Sequence, residues 1–290
     1  MKRKNFGKVS GLLLLAAALL LWPGPAPAEM YLEAYLGGVQ GANAPMRSGV
    51  SDASSFSIGP ISFSETFTAG GIPGRLDPAV MGGLKLGTWF VKEGFLGYNY
   101  PEWMKYFGFY LDFMVHRLDF RRQAVNSLYT ATTTYTPAPG GPSISATTAT
   151  AGAATFWSEG FAPTLAFMFA GRYGFLPDSE VPFGRLQPYV AVGPGILFFS
   201  QQPSLRFDTL GGIGAKMDSK SEAVICLAAE AGVRWMCLKN VSIDLSFKYR
   251  YAQPSLQYNY SNPLSGTPAS LTLDPTLHLF SGQLGAAYHF

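Results

Sequence analysis

Charge is scarce in this chain. Asp, Glu, Lys and Arg make up 13% of its 290 residues, about half the roughly 25% usual in soluble domains. Histidine and cysteine are scarcer, at three and two residues. No His, Cys or carboxylate cluster has the spacing of a metal site, so neither a metal nor a cofactor is expected. After the N-terminal segment no stretch approaches 18 uninterrupted apolar residues, which excludes a helical membrane span. A basic stripe is missing too. Lys2, Arg3, Lys4 and Lys8 supply four of the 21 basic residues, leaving 17 against 18 acidic ones beyond them. Nucleic acid is therefore not an expected partner.

The N-terminal segment reads as a secretory signal. A basic region precedes the apolar residues 11–21, and Ala26-Pro27-Ala28 forms a small-residue cleavage site before Glu29. Pro23, Pro25 and Pro27 break the apolar run short of the roughly 20 residues a spanning helix needs. The expected division is a signal peptide over residues 1–28 and a mature domain over 29–290. Export invites a disulfide, but Cys226 and Cys237 fall on one expected strand with opposite facing. Eleven residues at ~3.3 Å each separate them by ~36 Å, far beyond the ~7 Å limit, so two free thiols are expected.

What the chain does have is alternation. Phe280, Gly282, Leu284, Ala286, Tyr288 and Phe290 share one wall, with Ser281, Gln283, Gly285, Ala287 and His289 on the other. About eight segments show this pattern, near residues 29–40, 80–91, 107–116, 160–172, 186–199, 223–237, 241–251 and 280–290. Each is long enough to cross a bilayer when tilted. A soluble barrel turns its apolar wall inward and needs a charged exterior; the scarcity of charge places the apolar wall toward lipid instead. The connections alternate long (41–79, 118–159, 200–222, 253–275) and short (92–103, 173–185, 238–240). That is the asymmetry of an up-and-down antiparallel barrel with four long external loops. An even strand number returns both ends to the periplasm. Residues 130–155, rich in Thr, Ala, Pro and Gly, are expected to be a solvated tip that buries no core. Pro188, Gly193, Pro194 and Gly195 suggest a bulge or bend in the fifth strand.

The signal, the eight amphipathic segments and the closing Ser-Gly-Gln-Leu-Gly-Ala-Ala-Tyr-His-Phe resemble the small outer-membrane β-barrel family that includes the OmpA transmembrane domain and the opacity-type surface proteins. The resemblance covers nearly all of residues 29–290. It implies the outer membrane of a Gram-negative bacterium, with lipids and the barrel-assembly machinery as partners. It also implies an assembly signal in the last strand, carried by Phe280, Leu284, Tyr288 and Phe290. Nothing follows Phe290, so the peptidoglycan-binding domain of full-length OmpA relatives is not expected.

The inward wall carries the candidate functional residues. Glu33, Asp112, Glu230 and Asp244 face Lys85, Arg172, Arg234, Lys248 and Arg250 in a lumen that side chains can fill. Unpaired charge there is costly, so a plug of paired charges is expected. A three-residue loop Leu238-Lys239-Asn240 would set Cys237 opposite Val241. It would also set Arg234 opposite Asp244 and Glu230 opposite Lys248, and exchanging the last two would then preserve their pair. Catalysis is not expected: His116 and Asp112 lie ~13 Å apart along one strand, and His278 lacks the His-x-Ser arrangement of lipid hydrolases. The expected role is structural or surface-interacting, with an external ligand or host surface met through the loops. The alternatives are a narrow channel for small solutes and a membrane-embedded lipid hydrolase.

If Phe290 ends an assembly signal, deleting it should lower the outer-membrane yield and leave unfolded periplasmic chain. Heat-modifiable mobility of the membrane fraction measures this; an unchanged folded fraction would count against the signal.

Overall fold

The computed structural model describes residues 29–46, 50–69, 71–91, 100–137, 141–207, 212–261 and 268–290. The expected signal peptide and most of the expected 92–103 turn lie outside these. Fifteen strands are present among the described residues. They are β1 (Glu29–Gly41), β2 (Val50–Ile58), β3 (Ile61–Ala69), β4 (Ala79–Trp89), β5 (Phe107–His116), β6 (Phe120–Tyr135), β7 (Ile144–Phe161) and β8 (Thr164–Arg172). The rest are β9 (Leu186–Phe207), β10 (Ile213–Lys216), β11 (Lys220–Leu238), β12 (Val241–Ala252), β13 (Leu256–Ser261), β14 (Pro268–Leu273) and β15 (Leu277–His289).

Eight of them close a ring of antiparallel pairs: β1, β4, β5, β8, β9, β11, β12, β15 and back to β1. This is an eight-stranded barrel, and its last strand closes on its first through Leu32–Tyr288 and Leu36–Leu284. The outer wall is apolar. Leu36, Val80, Phe113, Phe167, Val190, Ile225 and Leu245 are all exposed on it. On β5 this wall runs from Phe107 to Val115, ~26 Å along the strand and ~20 Å along the barrel axis at ~40° tilt, close to the height of a lipid-facing band. Tyr288, Phe290, Trp235, Trp103 and Phe107 cluster at the end of the barrel that holds Glu29 and Phe290, while Phe161, Trp157, Phe280 and Tyr249 ring the other. Such aromatic girdles sit at the two interfaces of a membrane barrel.

The remaining strands continue the same eight paths beyond that second girdle. Met114 pairs with Thr164, Arg117 with Phe161 and Phe120 with Ser158, so β5 and β6 keep one register against β8 and β7. β7 and β8 likewise hold one register against β9, from Phe161–Ser200 to Thr164–Leu197. The gap between them is at Pro163, which has no N–H to give the ladder. Ala252–Leu277 and Leu256–Leu273 show the same continuity from β12–β15 into β13–β14. From Arg117 to Tyr135 the tallest wall rises roughly 45 Å beyond the band, at ~3.3 Å per residue and ~40° tilt.

Across the girdle the apolar face changes sides. Within the band the apolar residues point out. Beyond it Leu118, Phe120, Phe156, Leu205, Phe207, Leu256, Tyr258, Leu271 and Leu273 point in and pack one apolar core. The segments expected as long solvated loops are thus largely ordered wall. Their lower parts bury a core, contrary to expectation, because outside lipid the usual rule of apolar-in applies. Residues 130–135 and 144–155 are paired strand rather than free tip, although from Ile144 to Ala151 every residue is exposed.

Two further expectations change. Neither Pro188 nor Pro194 shifts the register of β9, which runs unbroken against β11 from Gln201–Lys220 to Leu186–Trp235. Gly193 instead lets two strands approach: a Cβ there would lie 1.8 Å from the Phe167 carbonyl oxygen. The β11–β12 connection is a two-residue turn, Lys239-Asn240, with Leu238 opposite Val241. A bulge at Cys237 absorbs the extra residue and keeps Arg234 opposite Asp244 and Glu230 opposite Lys248. Arg185, in the β8–β9 turn, donates to the carbonyls of Met236 and Cys237 at 3.2 Å each and so satisfies the bulged backbone. Asp178, which pairs with Arg185, is held below the usual carboxylate range, first by the Val181 N–H and then by Arg185. Cys226 and Cys237 are both free thiols.

Thr130 pairs with Ala149, so residues 131–148 can be replaced by an Asn-Gly turn without disturbing the pairs below. The barrel should keep its β circular dichroism and heat-modifiable mobility, with stability altered by less than ~1 kcal/mol, since loop length acts only logarithmically. Loss of the folded band would show that the upper hairpin is needed for closure.

Candidate functional site

The lumen within the band is the candidate site. All nine inward charged residues expected there are buried: Glu33, Lys85, Asp112, Arg172, Glu230, Arg234, Asp244, Lys248 and Arg250 are each 4% exposed or less. Seven of them form one connected network. Lys85 Nζ lies 2.8 Å from Glu33, 2.7 Å from Glu230 and 3.9 Å from Asp244. Arg234 reaches Glu33 at 2.9 Å and Asp244 at 3.4 Å. Lys248 bonds Asp112 and approaches Glu230 at 3.5 Å. Four carboxylates are thus held by three cations.

Tyrosines supply the remaining donors. Tyr35 donates to Asp112 at 2.6 Å and Tyr110 to Glu230 at 2.8 Å. Tyr189 lies between Glu230 and Asp244, at 2.8 and 2.7 Å; its one proton serves either carboxylate in turn. The Arg234 guanidinium stacks 4.2 Å over Tyr31, and Gln283 adds a bond to Glu230 at 3.2 Å. Glycine makes room for these rings. A Cβ at Gly83 would lie 2.3 Å from the Tyr35 hydroxyl, and one at Gly232 2.8 Å from the Tyr189 ring. Charge patterning alone did not pick out the tyrosines. Their signal was present in the sequence, since Tyr31, Tyr35, Tyr110 and Tyr189 share the inward parity of the charged residues.

Arg172 and Arg250 lie outside this network. Arg172 donates to Gln187 at 3.0 Å and stacks on Trp89 and Phe183, toward the end that holds Glu29 and Phe290. Arg250 caps the network on the other side, donating to Thr164 at 2.9 Å and to His116 at 3.4 Å. It forms no ion pair among the described residues. His116 Nδ1 bonds the Arg117 carbonyl at 2.7 Å, which leaves Nε2 to accept from Arg250. His278 bonds the Tyr249 hydroxyl at 2.8 Å, stacks against the Tyr249 ring and meets the Tyr251 ring at a tilt, 5.2 Å between centroids, at the rim. Directly beyond Arg250 the lumen turns apolar, with Ala252, Leu277, Leu279 and Cys226 buried. No group of three or more His, Cys, Asp or Glu suited to a metal occurs among the described residues. Of the expected assembly residues, Phe280, Leu284, Tyr288 and Phe290 are all exposed on the outer wall of the closing strand or at its end.

No protein-family model matches the chain, and no curated protein matches it in sequence. Solved structures similar to it include the outer membrane protein OprG from Pseudomonas aeruginosa, 12% identical with a TM-score of 0.40, covering 91% of this chain and 98% of that one. The outer membrane protease OmpT from Escherichia coli is also 12% identical with a TM-score of 0.40, covering 91% and 97%. Neisserial surface protein A is 12% identical with a TM-score of 0.30, covering 90% and 97%. At these levels no activity follows from the likeness, and the barrel is established by its own pairings. The closed ring, the apolar outer band and the two aromatic girdles define a transmembrane β-barrel of the small outer-membrane type.

Glu230 lies between two lysines, so the exchange of Glu230 and Lys248 expected to preserve their pair would set a lysine against Lys85. The informative substitution is Lys85→Met. It removes the cation that Glu33 and Glu230 share, leaving Glu33 to Arg234 and Glu230 to Lys248 and its tyrosines, and should destabilise the barrel by about 1–3 kcal/mol. The urea midpoint of the folded protein in detergent measures this; a shift smaller than that of a control at the exposed Lys239, Lys239→Met, would show that the lumen is wet.

Proposed function

We propose that this protein is a plugged outer-membrane barrel whose working surface is the tall wall beyond the membrane, serving a structural or surface-interaction role. The carrying observation is the stacking of two fillings along one lumen. A charged network occupies the band, and an apolar core occupies the wall above it. An ion or solute following the axis would have to break ion pairs and then cross a core of packed hydrocarbon interrupted only by bonded side chains such as Ser158 and Gln201. Meanwhile the hairpins around Ile58–Ile61 and Tyr135–Ile144 project furthest and are open to solvent. A surface built this way suits adhesion or recognition at the cell exterior. Enzymatic activity is not part of this reading, since His116 and His278 are engaged by Arg250 and Tyr249 and neither meets a nucleophile–carboxylate arrangement.

Purified barrel in planar bilayers should give no stable open-channel current, and Lys85→Met or Arg234→Met should raise the leak before abolishing the fold. Large, steady single-channel currents from the intact protein would replace the plug with a narrow solute channel.

A further inference from the structure

One cluster of charges faces outward. The β6–β7 register moves from Phe120–Ser158 to Gln123–Phe156, so Arg121 and Arg122 together oppose the single residue Trp157. Such a bulge turns both side chains to the same side of the wall, and both are exposed. The Arg122 guanidinium stacks 4.5 Å over the Trp157 ring. Below it, Arg117 lies 5.9 Å from the ring of Phe161. Phe161 belongs to the girdle, and Val115, one rung beneath Arg117, is still lipid-facing. The arginines therefore stand at the height of lipid headgroups.

Three carboxylates share this region. Asp77 pairs with Arg121 at 2.7 Å and Asp119 with Arg117 at 3.1 Å. Glu159 is exposed on the same wall between Trp157 and Phe161. Arg206, outward on β9 opposite Thr155, is the next cation. Among the described residues Arg122 forms no ion pair. Its ring contact fixes the guanidinium plane and leaves its N–H edge open, an arrangement suited to bidentate binding of a phosphate.

We propose that Arg122, with Arg121 beside it on the Trp157 platform, binds the phosphate of a phosphorylated lipid headgroup in the outer leaflet. Phosphate gains the Arg122 guanidinium and, in competition with Asp77, that of Arg121, and the indole seats against the sugar or acyl boundary. Glu159 opposes this binding by like charge and makes it weaker than it would otherwise be. The proposal rests on the reading of the chain as an outer-membrane barrel.

The test uses the full-length folded protein, incubated with bis-phosphorylated lipid A in detergent and examined by native mass spectrometry. Arg122→Ala should lower the lipid-bound fraction roughly tenfold, the equivalent of one lost charge-assisted contact. Arg122→Lys should fall between, and Glu159→Gln should raise it. Heat-modifiable mobility of each variant reports the fold separately. Equal retention by wild type and the Arg121→Ala, Arg122→Ala double variant would overturn the proposal. So would equal binding of dephosphorylated lipid A, or complete displacement by inorganic phosphate, which would mark a site for free anions. Failure of the wild type to insert into vesicles would instead overturn the membrane reading itself, a result distinct from an inserted barrel that retains no lipid.

Discussion

Hydrocarbon offers a peptide group no hydrogen bond, so a sheet that crosses it must close on itself. Everything else in this molecule follows from that closure. Eight strands are joined by the pairing of β15 with β1, and eight strands enclose a lumen only as wide as the side chains that fill it. Alternate residues on every strand are thereby forced into one narrow column. Polar groups in that column cannot be solvated, so they must satisfy one another. Lys85, held by Glu33 and Glu230 and within reach of Asp244, is the centre of that settlement. Removing its ammonium group would leave carboxylates from three different strands without their shared cation.

The eight paths pass through two solvents. In the band the exterior is lipid, and the apolar wall faces out. Beyond Phe161 and Phe280 the exterior is water, and the same strands bury Phe120, Phe156, Leu271 and Leu273 inside. The hydrogen-bond register runs through this change without resetting, as Pro163 shows. It costs one ladder bond but does not move Thr164 relative to Leu197 or Phe161 relative to Ser200. The border between the two regimes is marked inside by Arg250 and outside by the arginines around Trp157. The membrane boundary is therefore inscribed on both walls of the barrel.

Much of the band was legible in the sequence. Period-two alternation with little charge admits one solution, and the inward parity assigned all nine lumen charges to the column where they are found buried. The opposite-sign matches Arg234–Asp244 and Glu230–Lys248 set the β11–β12 register even though the turn between them is one residue shorter than the pattern predicts. A bulge at Cys237 and a two-residue turn give the same facing as a three-residue loop, and only the carbonyls bound by Arg185 distinguish the two. The wall beyond the membrane has the sequence character of loop for a physical reason: its apolar residues sit on the opposite parity, so the outward hydrophobic pattern ends at the girdle.

The sequence by itself determined that the chain is a lipid-facing barrel, how many strands cross, and which side chains share its lumen. Those follow from local periodicity, which neighbouring residues impose on one another. The tertiary structure alone decided which charges meet, that Lys85 rather than any single pair links the network, and that Arg172 and Arg250 stand outside it. It also decided that the bulge at Arg121 and Arg122 faces Trp157. Such contacts join residues up to two hundred positions apart, as between Glu33 and Arg234. They depend on strand stagger and side-chain reach across a closed lumen, which no local pattern encodes.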